Sequence, residues 1–267
     1  MAVDADPDYG LLDRSGISAM AFHPRPDPGP PPQGATDHMI EVEPGVAIAA
    51  RFYLLGPEHP TLLYFHGNGE VVGDHDQFSH VYEESGLNLF VAEFRGYGKS
   101  GGVSSMEHLV ADARPIAAYF HATLDEQGCD PRRFVMGRSM GASPALEIAA
   151  RAPEGFQGAI IESGAAGVRG MLDRAGYPDN AEGWRLIATH EAKIRSIRLP
   201  TMQLHGAVDD LVPMASATEL YEMLEGAAAR QLAVIEGAGH NDILWRGQVR
   251  YMELVREFVA EHSPQPG

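Results

Sequence analysis

The chain is poor in three things, and each shortage removes a class of function. It has one cysteine, Cys129, in 267 residues. A single thiol cannot form an internal disulfide, so the fold has to rest on its own core, and the composition suits a reducing cytoplasm. No apolar run in the sequence reaches the roughly 18 residues that a membrane-spanning helix requires. Cationic residues are scarce: 20 Lys and Arg face 37 Asp and Glu, a formal net charge of −17. Nucleic acids and anionic membrane surfaces both call for a cationic footprint, so neither is expected as a partner. The opening MAVDADPDYG is acidic and lacks the basic start and apolar segment of a secretory signal. Histidine is plentiful, at 12 residues, but H-E-x-x-H and comparable ligand spacings are missing. No metal is therefore implied, and His75 and His80 read as surface residues.

What is present is an ordinary globular composition, 44% apolar and 21% charged, in a chain long enough for one α/β domain. Residues 24-PRPDPGPPPQG-34 read as an extended or mobile lead-in. Residues 1–36 are accordingly set apart from a single domain over 37–267. The apolar stretch 38–55 breaks at Pro44-Gly45, which predicts a hairpin. Short, nearly unbroken apolar runs follow at 61–67, 87–94, 133–137, 158–163, 201–206 and 231–237, as expected of strands covered on both faces. Between them lie segments of helical spacing at 74–85, 104–127, 140–151, 214–225 and 243–261. A hairpin, then strands alternating with helices, specifies an α/β fold: a mostly parallel sheet flanked by helices on both faces.

One pentapeptide carries chemistry. Gly137-Arg138-Ser139-Met140-Gly141 has the form G-x-S-x-G, and chance alone supplies roughly 0.2 such matches in a chain of this composition, so its setting decides. It lies where the strand at 133–137 turns into the helix at 140–151. A turn that sharp explains the glycines, because side chains at 137 or 141 would strike the neighbouring strand and helix. Pro144 falls in the first helical turn, where a missing N–H is tolerated. A capping serine without chemistry fits these local facts equally well. A serine hydroxyl becomes a nucleophile only beside a base, and the base needs an orienting carboxylate. Asp209 and Asp210 follow the strand at 201–206, and His240 lies in 237-GAGHND-242 after the last strand. The chain order is serine, acid, histidine.

Five stretches together carry a resemblance: HGNG at 66–69, FRGYGKSGG at 94–102, GRSMG at 137–141, HGAVDDLVP at 205–213 and GAGHND at 237–242. Over roughly 38–262 the sequence resembles the α/β-hydrolase superfamily, and within it compact bacterial serine hydrolases of the esterase and thioesterase kind. The resemblance implies the α/β-hydrolase fold with an N-terminal hairpin and a small lid inserted at about 165–199. It implies a triad of Ser139, Asp209 and His240, with Asp209 chosen over Asp210 because the acid stands four residues after His205. It also implies an oxyanion hole from the backbone N–H groups of Met140 and Asn68, with Gly69 the neighbouring possibility. The expected activity is cleavage of small to medium carboxylic esters, or thioesters, through an acyl-enzyme. The partner would be a small acyl substrate, and no cofactor is implied. A serine peptidase or amidase, and a non-catalytic binding protein on the same fold, are the alternatives. The sequence is silent on oligomeric state.

Other residues have two readings. Arg138 either binds an anionic substrate group or forms an internal ion pair under the sheet edge. His66 and His205 read as structural hydrogen-bonding groups, and Glu162 is a distant third candidate for the acid. Gly98-Lys99-Ser100 fails as a phosphate loop because Glu93 stands where its first glycine belongs. Gly67, Gly69 and Gly73 with Glu93 could mark a dinucleotide loop, which would leave the serine, acid and histidine loops unexplained. Met171, Leu172, Trp184 and Ile187 either line a pocket or pack the lid.

Overall fold

Alternating side chains lay down a sheet with two apolar faces. In the strand Thr61–Phe65, Leu62 and Tyr64 join one buried layer while Leu63 and Phe65 join the other. The computed structural model describes residues 6–27, 29–165 and 167–263. The acidic start at 1–5, Pro28 of the lead-in, Ala166 of the lid and the last four residues of the expected domain lie outside the described residues.

Eight strands form the sheet: β1 Ala35–Glu43, β2 Val46–Tyr53, β3 Thr61–Phe65, β4 Asn88–Ala92, β5 Arg133–Arg138, β6 Gly158–Glu162, β7 Thr201–Gly206 and β8 Arg230–Ile235. Their spatial order is β1-β2-β4-β3-β5-β6-β7-β8. The β1–β2 and β2–β4 pairs are antiparallel and the remaining pairs are parallel. After β3 the chain moves one way to β4, and later returns to place β5 on the other flank. The carboxyl ends of β3 and β5 therefore meet at a topological switch point, where open α/β sheets bind ligands.

The helices are α1 Gly10–Arg14, α2 Ile17–Ala21, α3 Ser79–Glu84, α4 Met106–Ala111, α5 Ala113–Glu126, α6 Ala142–Arg151, α7 Arg169–Arg174, α8 Ala181–Arg195, α9 Met214–Met223, α10 Ile243–Arg246 and α11 Gln248–His262. Phe120 of α5 and Leu146 and Ile148 of α6 pack one sheet face together with Phe52, Phe90 and Val135. Tyr82 of α3 and Tyr251, Val255 and Phe258 of α11 pack the other with Phe134, Met136 and Met202. Among the described residues no helix is long and apolar enough to cross a membrane.

Two expectations need correction. The helical spacing at 104–127 and at 243–261 is interrupted in each case, at Asp112 and at Gly247, giving α4–α5 and α10–α11. The stretch expected to be only a lead-in contains α1 and α2, with Leu11, Leu12 and Ile17 buried in the same layer as α6. Its proline cluster begins at Pro24, beyond both helices, and only Pro7 precedes them.

Candidate active site

The turn after β5 puts Ser139 at φ 51°, one of two non-glycine residues with positive φ among the described residues. A side chain in that region costs about 1–3 kcal/mol, which the surrounding packing has to hold in place. The flanking glycines make the turn possible. A Cβ on Gly137 would overlap the Gly141 carbonyl, and one on Gly141 would overlap the Phe65 carbonyl of β3. The serine is thus lifted above the sheet edge with β3 pressed against its own helix start.

Two later loops bring their side chains to it. His240 Nε2 lies 2.9 Å from Ser139 Oγ, and His240 Nδ1 lies 2.8 Å from Asp209 Oδ2. With an ionised carboxylate, Nδ1–H donates to Asp209 and Nε2 is left to accept the serine proton. Asp209 is buried, and its Oδ1 accepts from the N–H groups of Leu211 (3.0 Å) and Val212 (2.8 Å). Asp210 points to solvent. His205 donates Nε2–H to the Val212 carbonyl at 2.8 Å, fixing the acid loop from below.

The loop after β3 is held just as firmly. His66 is buried; its Nδ1 lies 2.8 Å from the Gly67 carbonyl and its Nε2 3.1 Å from Glu93. Burial alone would lower its pKa, but the Glu93 carboxylate turns the net shift upward. Glu93 also accepts from the Val72 N–H at 2.9 Å and is fully buried, so it is turned away from any ribose. The Gly67 N–H donates to Glu70 at 3.0 Å. Asn68 borders the cavity beside Ser139 and Met140, whereas Gly69 does not. Its side chain ties in the N-terminal segment: Nδ2 donates to the Ala21 carbonyl (2.6 Å), and Oδ1 accepts from the His23 N–H (3.0 Å) and the Tyr97 hydroxyl (2.6 Å).

Arg138 takes the internal role of its two readings. Its guanidinium pairs with Glu162 at 3.2 Å and with Glu70, and donates to the His240 carbonyl at 3.0 Å and to Asn241 Oδ1 at 2.9 Å. Burial works against the charge, but Glu162 and Glu70 outweigh it and raise the arginine pKa. Glu162, buried and accepting from the Tyr251 hydroxyl at 2.6 Å, has its pKa raised by burial. It serves this pair and leaves His240 to Asp209. His75 is a further correction: expected at the surface, it is buried against Tyr64 and Phe78.

Beside the serine opens a cavity of about 420 Å³, within the range of small-molecule sites. Leu146 of α6, Tyr9, Ile17 and Met20 of the N-terminal segment, and Val168, Met171 and Arg174 of the segment between β6 and β7 form its walls. Of the four lid residues picked out by sequence, Met171 borders the cavity and Leu172 and Ile187 are packed into the core. Trp184 is half exposed beneath the Arg169 guanidinium. The N-terminal wall and Arg174 were missed by sequence reasoning, since neither belongs to a motif.

Residues 56–184 match a family model described as serine aminopeptidase, S33. The α/β hydrolase domain-containing protein 17B of Xenopus laevis is 30% identical over 230 residues, spanning 84% of this chain and 74% of that protein. Among solved structures, an esterase of Pyrococcus furiosus superposes with a TM-score of 0.72 at 20% identity, over 90% of this chain and 99% of that one. A monoglyceride lipase of Saccharomyces cerevisiae superposes with a TM-score of 0.66 at 14% identity, over 90% and 100% of the two chains. At such identities these two likenesses concern the fold.

Proposed function

The chain belongs to the α/β-hydrolase superfamily, and from that footing we propose that it is a serine hydrolase cleaving small to medium carboxylic esters through an acyl-enzyme. The observation that carries the reading is the hydrogen-bonded line from Ser139 through His240 to a buried Asp209, set on a strained strand-to-helix turn. In the proposed reaction Ser139 Oγ attacks the ester carbonyl as His240 takes its proton, and Asp209 orients and stabilises the imidazolium. The N–H groups of Asn68 and Met140 hold the oxyanion. His240 returns the proton to the departing alcohol, then activates the water that releases the acid. The segment 165–199 acts as the lid of a domain that also takes in α1 and α2, and the lone thiol, Cys129, is buried and suits a cytoplasmic setting.

A second reading is favoured by the name of the matching family model, a serine aminopeptidase. An enzyme that binds a free α-ammonium group needs a carboxylate to receive it. Among the described residues none borders the cavity, so ester cleavage is the better supported of the two.

The test is labelling with a fluorophosphonate probe read by mass spectrometry, on wild type and Ser139→Ala, beside hydrolysis of p-nitrophenyl acetate, butyrate and octanoate and of alanine p-nitroanilide. Labelling confined to Ser139 and ester turnover at least ~10³-fold lower in the variant are expected. Cleavage of the anilide in preference to every ester would favour the peptidase reading, and a folded protein with neither labelling nor turnover would sink both.

A further inference from the structure

In a chain with 37 Asp and Glu against 20 Lys and Arg, the walls of the Ser139 cavity carry an inverted charge. Among the described residues no carboxylate borders it, and the one arginine or lysine that does is Arg174, at the end of α7. Most arginines here are committed elsewhere: Arg138 to Glu162 and Glu70, Arg95 to Asp112 and Glu43, Arg51 to Asp37 and Asp76. Even Arg169, one turn earlier on the same helix, lies over the Trp184 ring. Arg174 makes no hydrogen bond, ion pair or ring contact among the described residues.

The position of the cavity says which half of a substrate would meet this cation. The leaving group must lie on the side of His240, which hands it a proton. His240 reaches Ser139 but does not border the cavity, whereas Ser139, Met140 and Asn68 do. The cavity therefore lies on the acyl side of the scissile bond. A net charge of −17 disfavours the approach of anions from solution. Arg174 is exposed, and as the lone arginine or lysine on the wall of a carboxylate-free cavity it supplies a local attraction that offsets this, while its planar guanidinium fork suits a carboxylate.

We propose that Arg174 forms an anion subsite in the acyl cavity, and that the substrates are esters whose acyl chain ends in a carboxylate. The proposal rests on the ester-hydrolase reading above, and its test separates the two. Wild type, Arg174→Gln, Arg174→Glu and Arg174→Lys are assayed on p-nitrophenyl half-esters of succinic, glutaric, adipic and suberic acids, each against the neutral ester of equal chain length. In parallel, Ser139→Ala protein, with Arg174 intact or as Gln, is titrated calorimetrically with monomethyl adipate and with methyl hexanoate.

The ratio of kcat/KM for carboxylate over neutral ester should exceed unity in wild type at the chain length that reaches Arg174. It should fall about 10- to 100-fold in Arg174→Gln, the size of a charge-assisted contact. Arg174→Glu should invert the preference, and Arg174→Lys should keep part of it. A ratio unchanged in Arg174→Gln, with neutral esters cleaved, overturns the subsite and leaves the hydrolase. Binding of monomethyl adipate that depends on Arg174, with no ester of either kind turned over, keeps the subsite and overturns the hydrolase.

Discussion

The Arg138 guanidinium donates to the His240 carbonyl at 3.0 Å, so the residue just before Ser139 holds the backbone of the histidine that hydrogen-bonds that serine. The same side chain pairs with Glu70, whose carboxylate accepts the Gly67 N–H of the loop after β3. One cation thereby ties the His240 loop to the loop after β3 that carries Asn68, and we expect it to act as a positioning residue.

Arg138→Met is expected to lower kcat about 10- to 100-fold with little change in KM, because displacements of ~1 Å at a reacting centre cost up to that much. It should also destabilise the fold, since Glu70 and Glu162 lose their cation in a buried setting. Arg138→Lys should restore stability more than kcat, because an ammonium keeps the charge without the fork. Steady-state kinetics beside thermal denaturation separates the two effects; a loss of stability with kcat intact would make Arg138 purely structural.

Asp209→Asn should lower kcat about 10²- to 10⁴-fold by losing the tautomer that leaves His240 Nε2 free to accept. Asp210→Asn, at the solvent-facing neighbour, should leave turnover within about twofold. Equal effects in the p-nitrophenyl butyrate assay would contradict the geometry around His240.

Leu12 on α1 is fully buried. Leu12→Ala should cost about 2–5 kcal/mol in urea denaturation, the range for emptying a packed leucine site. A cost near zero would mean that α1 is not packed against α4 and α8 in solution.

Burial pushes His75 down to about 4, against the pull of Glu70, so it is neutral in the fold. In the unfolded chain it takes up a proton below its ordinary value near ~6.5. Between those values the unfolded state binds more protons, so this residue's share of stability falls as the pH drops from ~6.5 towards 4. His66 has the opposite sign: its folded pKa is raised, so its contribution is full below the unfolded value and is lost as pH rises through the folded one. His75→Phe should flatten the acid limb of a stability–pH curve, gaining on wild type between pH 7 and 5 in urea midpoints. Parallel curves would contradict the buried, neutral state.

Much of the fold was legible because a strand buried on both faces leaves an apolar run of the right length, as in β3 and β6, and because Pro44-Gly45 marks the β1–β2 hairpin. The loops of Ser139, Asp209 and His240 were legible because each follows a readable strand. His75 was misplaced because nothing local in the sequence shows that its ring turns inward onto Tyr64, between the charged Asp74 and Asp76. The cavity walls were not legible at all. Tyr9, Ile17, Met20 and Arg174 reach one another only through tertiary packing, and an exposed arginine on a short helix looks in sequence like any solvated cation.

In the proposed reaction the groups at the scissile bond sit on loops after β3, β5, β7 and β8, whereas Tyr9, Ile17 and Met20 precede every strand among the described residues. That stretch is fastened beside the nucleophile by the hydrogen bonds of Ala21 and His23 to Asn68 and Tyr97. One part of the cavity wall is thus written apart from the loops of Ser139, Asp209 and His240, and another part, at Val168, Met171 and Arg174, is written between them. Substitutions at Ile17 and Met20 that spare the Ala21–Asn68 hydrogen bond should therefore change the shape offered to an acyl chain while leaving Ser139, His240 and Asp209 in place.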